Sequence, residues 1–208
     1  MEKLTEFRDY CLQNEGWEEV LRDKIQVEYL RKTESSNVVA LKVISHDFED
    51  YTPEYMYEVI NDGAFHGQWD PYLMSWKNIE QKTENCYVVQ MLMKVPVITN
   101  REFIFDCTCG VIGEGEEAEY IIRMETTDDS KWKVADGFVR GTIGLSGYLI
   151  RKENGKTVVY TIGNSDIGGI VPAWFINKMA KSAVPDMLKG LKQKIPGYEK
   201  FKEKQAKK

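Results

Sequence analysis

From Met74 to Asp166 the chain offers one strand candidate after another, with no helical pattern between them. The candidates are 74–82, 86–93, 101–112, 118–127, 139–150 and 157–166. Turn signals separate them at Gly113-Glu114-Gly115, Asp128-Asp129-Ser130 and Asn154-Gly155. The last pair suits a two-residue hairpin, whose central residues both need positive φ. Strands joined this tightly pair antiparallel, because a parallel crossover needs a dozen or more residues. Alternation between Trp17 and Ile44 adds further strands upstream, for about nine in all. A sheet that wide accumulates twist, curls, and needs something to cover its concave face.

The covering element comes last. After Pro172 the pattern turns helical to about Lys194, with Ile176, Ala180, Ala183, Val184, Met187 and Leu191 in one apolar stripe. Pro185 interrupts the hydrogen-bond ladder there and frees the Lys181 carbonyl, so a weak point is expected. Shorter helices are expected over 2–15, from Thr52 as N-cap with Pro53 at the first position to Asn61, and through Phe65 to Trp69. The order predicts an α+β fold: a curved antiparallel sheet around a long C-terminal helix, enclosing a hydrophobic cavity. Such a mouth suits an apolar ligand. One domain over 1–208 is expected, with a frayed basic tail at 200–208.

Composition narrows the function. With 208 residues and 42% hydrophobic side chains, one substantial core can form. A net charge of −5 disfavours a nucleic-acid partner. No apolar run approaches the ~20 residues of a membrane span. The polar start Met1-Glu2-Lys3-Leu4-Thr5-Glu6 reads as no targeting peptide, so a cytoplasmic protein is expected. Cys11, Cys86, Cys107 and Cys109 make no C-x-x-C pair and are expected to stay reduced, with Cys107 and Cys109 on one strand face. His46 and His66 are not in metal-ligand spacing, Gly144-Leu145-Ser146-Gly147 is not a nucleophile elbow, and Gly113-Glu114-Gly115 is not a phosphate loop. Neither catalysis nor a metal or cofactor is expected.

Four segments carry a resemblance. They are Trp69-Asp70, Arg101-Glu102-Phe103, Phe138-Val139-Arg140-Gly141 followed by Ser146-Gly147-Tyr148, and Asp166-Ile167-Gly168-Gly169-Ile170-Val171-Pro172-Ala173-Trp174-Phe175-Ile176-Asn177. In this order and spacing the chain resembles the START lipid-transfer domain over nearly its whole length, with Glu102 where that family usually has Asp. The resemblance implies a helix-grip fold of nine antiparallel strands around a C-terminal helix, with a lipid in the tunnel between. It implies a monomeric carrier that binds a phospholipid, sterol or sphingolipid and shuttles it between membranes. A helix-grip enzyme on a hydrophobic substrate and a ligand-regulated adaptor are the competing readings.

The expected cavity liners are Gln90, Phe105, Cys107, Ile143 and the helix stripe Ile176, Ala180, Ala183, Val184, Met187 and Leu191. By the resemblance, the buried charged pair of the family's cholesterol carriers falls near Gln90 and Cys107. The pair is therefore absent, and Gln90 would offer a neutral hydrogen bond. The loop 94–100 sits at the family's lid position, where Val95, Val97 and Ile98 would cap the cavity or dip into a bilayer. From Lys178 onward ten lysines face Asp186, Glu199 and Glu203. Lys178, Lys181, Lys189 and Lys192 are thus expected to meet an anionic membrane surface transiently.

Overall fold

The computed structural model describes residues 1–32, 39–171 and 173–207, of which 39 and 173–181 are described by backbone alone. The chain runs α1 (Glu2–Leu12), β1 (Glu18–Arg22), β2 (Gln26–Lys32), β3 (Val39–Ser45), α2 (Pro53–Asn61), α3 (Gly63–Trp69), β4 (Leu73–Thr83), β5 (Cys86–Met93) and β6 (Asn100–Ile112). It continues with β7 (Glu119–Thr126), β8 (Phe138–Arg140), β9 (Thr142–Ile143), β10 (Ser146–Glu153), β11 (Lys156–Gly163), β12 (Ser165–Asp166), α4 (Ala173–Lys194) and α5 (Tyr198–Gln205).

Nine strands form one path in the order β1-β2-β3-β11-β10-β7-β6-β5-β4, antiparallel throughout. Local chemistry fixes the corners. Thr52 Oγ1 accepts the Tyr55 amide at 3.2 Å and starts α2. Asp62 Oδ1 accepts the amides of Ala64 and Phe65 and starts α3 directly after it. Asn154 and Gly155 take φ of 52° and 77°, as the β10–β11 hairpin requires.

The segment expected as one strand over 139–150 is broken into three. β8 lies parallel to β6, and β9 leaves to pair with β12 in a small second sheet. Gly141 sits at the break. A Cβ there would lie 2.4 Å from the Phe103 ring and 2.8 Å from the Asp166 carbonyl oxygen, so the chain passes too closely for any side chain.

Helices cover both faces of the sheet. On the convex side α1 buries Leu4, Phe7 and Cys11 against Ile121, Leu149, Val158 and Ile162. Lys42 of β3 is fully buried beneath the end of this helix, donating to the carbonyls of Gln13 at 2.7 Å and Cys11 at 3.4 Å. The rings of Trp17 and Tyr29 each lie 4.9 Å from its ammonium. A cation is favoured at a helix C-terminus and over aromatic faces, and this offsets a burial that pushes the amine's pKa down.

On the concave side α2, α3 and α4 pack Met56, Phe65, Trp69, Val184 and Leu191 onto Val89, Phe105, Ile122 and Ile150. Of the tail expected to fray over 200–208, residues 200–205 are instead helical, within α5. Tyr198 is buried, and the Phe201 ring lies 5.1 Å from that of Phe65. Two aromatics three residues apart share one face of α5 and dock it.

Candidate functional site

α4 lies across the concave face and leaves beneath it a cavity of about 230 Å³. Its walls come from nearly every element. Met91 and Met93 of β5, Phe103 of β6, Met124 of β7, Ile143 of β9 and Leu41 of β3 supply apolar surface from below. Ala183, Val184 and Met187 supply it from α4 above. The helix is held down by a close backbone approach. A Cβ on Gly190 would lie 2.1 Å from the Trp69 carbonyl oxygen, so only glycine lets α4 sit against the end of α3.

One part of the lining is polar. His66 on α3 and Asp70 at its C-cap stand one turn apart with Nε2 and Oδ2 at 3.4 Å and almost no solvent exposure. The imidazole is stacked between Trp69 at 4.0 Å and Trp76 at 4.8 Å. Nε2 faces the carboxylate and Nδ1 is left over, without a hydrogen-bond partner among the described residues. The Thr161 hydroxyl, also on the lining, is buried and unpartnered in the same sense. Tyr148 is buried beside them, and burial, with the charge of Asp70 second, pushes its phenol well above the ordinary tyrosine value. Ser146 differs: its hydroxyl donates to the Asn164 carbonyl at 3.1 Å and accepts the Asn164 amide at 3.0 Å. Buried polar atoms without partners cost free energy, and those at a cavity wall are the ones a ligand can satisfy.

Two loops flank the cavity. Lys94 and Val95 line it from the loop after β5, and Asp166 at the end of β12 and Ile167 in the loop that follows line it on the way to α4. Arg101, 2% exposed, ties them together: Nε donates to the Ile167 carbonyl at 2.5 Å, Nη2 to that of Gly168 at 3.3 Å, and Nη1 to that of Thr99. Each loop raises an apolar side chain into solvent. Val97 is 84% exposed and Ile170 fully so. Val97 also takes φ of 62°, a strained conformation for a β-branched residue.

The structure brings Ile143, Ala183, Val184, Met187 and Val95 to the cavity. Phe105, Cys107 and Leu191 belong to the same buried cluster but are covered by neighbouring side chains and do not line it. Gln90 is a correction. Directly opposed residues in antiparallel strands share a face, and here Val89 opposes Phe105 while Gln90 opposes Ile104. Gln90 therefore points to the other side, where its amide donates to Glu102 Oε1 at 2.5 Å. Glu102 is fully buried and also accepts Arg140 at 3.0 Å. Ile98 is half-buried beside the exposed Val97. Lys189 is exposed, whereas Lys192 is paired with Asp47. The side chains of Ile176, Lys178, Ala180 and Lys181 lie outside the described residues.

Sequence reasoning missed His66, Trp76, Tyr148 and Thr161. The i, i+4 spacing of His66 and Asp70 on a short helix was the available signal for the first. Among the described residues no group of three or more His, Cys, Asp or Glu side chains is set to hold a metal. No helix among them is long and apolar enough to cross a membrane.

With this geometry the comparisons with known proteins agree. The bovine phosphatidylcholine transfer protein is 24% identical over 96% of this chain and 93% of its own length. Human START domain-containing protein 10 is 26% identical over 74% of this chain, which corresponds to 53% of that protein. The crystal structure of human STARD10 superposes with a TM-score of 0.86 at 22% identity, covering 98% of this chain and 82% of that one. Human StAR-related lipid transfer protein 5 superposes at 0.84 with 15% identity and 95% of both chains covered. The START domain family profile matches residues 2–200, so this chain, a helix-grip fold closed over an apolar cavity, belongs to the START domain family.

Proposed function

We propose that the chain binds one lipid in the cavity beneath α4 and carries it between membranes. The observation that carries this is the cavity itself: apolar on most of its wall, with the unpartnered Nδ1 of His66 and hydroxyl of Thr161 in its polar part. Acyl or ring carbons meet the methionines and Phe103, and the lipid's polar group meets His66, Thr161 and Tyr148. The relatives named as phosphatidylcholine transfer proteins support a phospholipid as the class.

Size adds a mechanical requirement. A volume of about 230 Å³ lies below the ~300–1,000 Å³ typical of small-molecule sites. A lipid enters only when the roof moves, so loading and opening are one event. α4 carries Pro185, whose missing N–H leaves the Lys181 carbonyl without its helical partner, and this lowers the cost of bending there. The loops bearing Val97 and Ile170 insert into the interfacial region, while Lys189 and the basic end of the chain face anionic headgroups. Val95, Val97 and Ile98 thus serve as lid, with Ile170 as a second anchor.

The protein acts as a single lipid-carrying unit, a monomer in the cytoplasm, and it carries its ligand without reacting on it. One chain supplies every wall of the cavity, and the Ser146 hydroxyl beside it is committed to the Asn164 backbone. The test is extraction and mass spectrometry of what co-purifies, followed by vesicle-to-vesicle transfer of that lipid class. Stoichiometric lipid and accelerated transfer are expected. A protein that takes up no lipid from vesicles would overturn the proposal.

A further inference from the structure

Hydrogen-bond character at the polar end of the cavity narrows the lipid. Asp70 Oδ1 accepts the Tyr72 amide at 2.8 Å, and Oδ2 faces His66 Nε2 at 3.4 Å. A carboxylate only accepts, so the neutral imidazole carries its proton on Nε2 and presents a lone pair at Nδ1. Nδ1 is buried and has no partner among the described residues, and the same holds for the Thr161 hydroxyl. Tyr148 directly opposes Thr161 across the β10–β11 ladder, so the two side chains share one face with their Cβ atoms about 5 Å apart. The Asp70 charge is felt at the Tyr148 phenol. One end of the wall thus gathers acceptor atoms around a negative charge. Cations are scarce: among the described residues of the wall, Lys94 is the one lysine or arginine, and it is exposed.

We propose that this end of the cavity selects phospholipids whose headgroup ends in a primary ammonium over those that end in trimethylammonium. The inference rests on the lipid-carrying reading above. A primary ammonium brings three N–H donors and one positive charge. Two donors go to His66 Nδ1 and Thr161 Oγ1, the third to the Tyr148 oxygen, and the charge is met by Asp70. A trimethylammonium brings the same charge and no donor, so Nδ1 would stay buried and unpaired beneath it, which costs free energy. Quaternary ammonium groups are held by open aromatic faces. Here the imidazole lies between Trp69 and Trp76 and covers one face of each.

The other headgroup chemistries fit less well. A terminal hydroxyl could donate to Nδ1, but it leaves the Asp70 charge unmet and adds a phosphate charge that nothing on the described inner wall balances. A phosphate oxygen only accepts, so it gains nothing from a lone pair at Nδ1 and is repelled by Asp70. In a zwitterionic lipid with its ammonium at His66, the phosphate carries the charge that suits Lys94.

A headgroup methylation series separates donors from charge. The full-length chain is incubated with vesicles holding equal amounts of phosphatidylethanolamine, its N-methyl and N,N-dimethyl forms and phosphatidylcholine, all with the same acyl chains, and the bound lipid is read by native mass spectrometry. The wild type is expected to load phosphatidylethanolamine about tenfold over phosphatidylcholine, with the partly methylated forms between. Thr161→Val keeps the shape, removes one acceptor and should narrow the ratio to about threefold. His66→Phe keeps a stacked ring, removes Nδ1 and should bring the ratio near one. The wild-type series decides the matter without either variant should one fold poorly. Equal loading along the series, or an excess of phosphatidylcholine, would overturn this inference and leave the carrier reading standing, whereas a chain that takes up no lipid would overturn both. Loading of phosphatidylglycerol above phosphatidylethanolamine in a second mixture would also overturn it, because that preference belongs to an imidazolium donating from Nδ1.

Discussion

The phenol of Tyr72 donates a 2.7 Å hydrogen bond to Asp186 Oδ2, joining the turn after α3 to α4 one residue beyond Pro185. Tyr72 lines the cavity, so this contact fastens the roof to the wall at the point where the helix is weakest. Tyr72→Phe removes a partly exposed hydrogen bond to a charged group, which contributes about 1 kcal/mol. Lipid exchange between vesicles is predicted to rise roughly fivefold, with only a small fall in thermal midpoint. An unchanged exchange rate would show that the contact does not hold the roof.

The same contact predicts a pH response. Burial, and then the bond to Asp186, push the Tyr72 phenol up to about 12. Its pKa is raised in the closed form, so closure is fully favoured below the ordinary value of ~10 and is lost as pH rises from there toward 12. In Asp186→Asn the Tyr72 ring, followed by carbon NMR, should titrate at a lower pH than in the wild type. A titration point that does not move would contradict the assignment.

Close approach at Gly190 gives a stability prediction. A methyl group there cannot fit 2.1 Å from the Trp69 carbonyl, so Gly190→Ala forces α4 outward. A cost of about 1–3 kcal/mol is expected, which in a chain of this size lowers the melting temperature by several degrees. A glycine-to-alanine change in an open helix would instead stabilise by up to ~1 kcal/mol, so the sign of the shift decides.

Membrane contact is predicted to depend on Val97 and Ile170, the exposed apolar tips of the loops tied by Arg101. Val97→Asp and Ile170→Asp should each slow transfer on neutral and anionic vesicles alike. Lys189→Glu should slow it only on anionic vesicles and lose its effect as salt rises. Lys192→Glu would in addition break the pair with Asp47, so its result mixes docking with stability. Equal transfer by all variants would remove this surface from the mechanism.

Much of the architecture was legible in the sequence because local chemistry and global fold agree. Thr52-Pro53 starts α2, Asn154-Gly155 turns the β10–β11 hairpin, and the stripe after Pro172 marks α4. Ile143, Val95 and three residues of the helix stripe were legible as cavity liners. On the strands, facing depends on register: Gln90 was grouped with Phe105, yet pairing places Val89 opposite Phe105 and turns Gln90 away. His66 was invisible as a site residue because its place is set by stacking between two tryptophans, one of them on another element. The stretch 200–208 was read as a tail because its lysines outweigh the single aromatic Phe201, whose value lies in reaching Phe65.

Occupancy of the cavity is tested most directly by native mass spectrometry of the chain after incubation with phospholipid vesicles, beside the variant Ala183→Trp. Ala183 lines the cavity from α4, and the added indole takes up a large part of about 230 Å³ that a well-packed wall cannot give back. The wild type is predicted to carry one lipid per chain and the variant, still folded, none. Equal loading of the two would contradict the placement of the lipid between the sheet and α4.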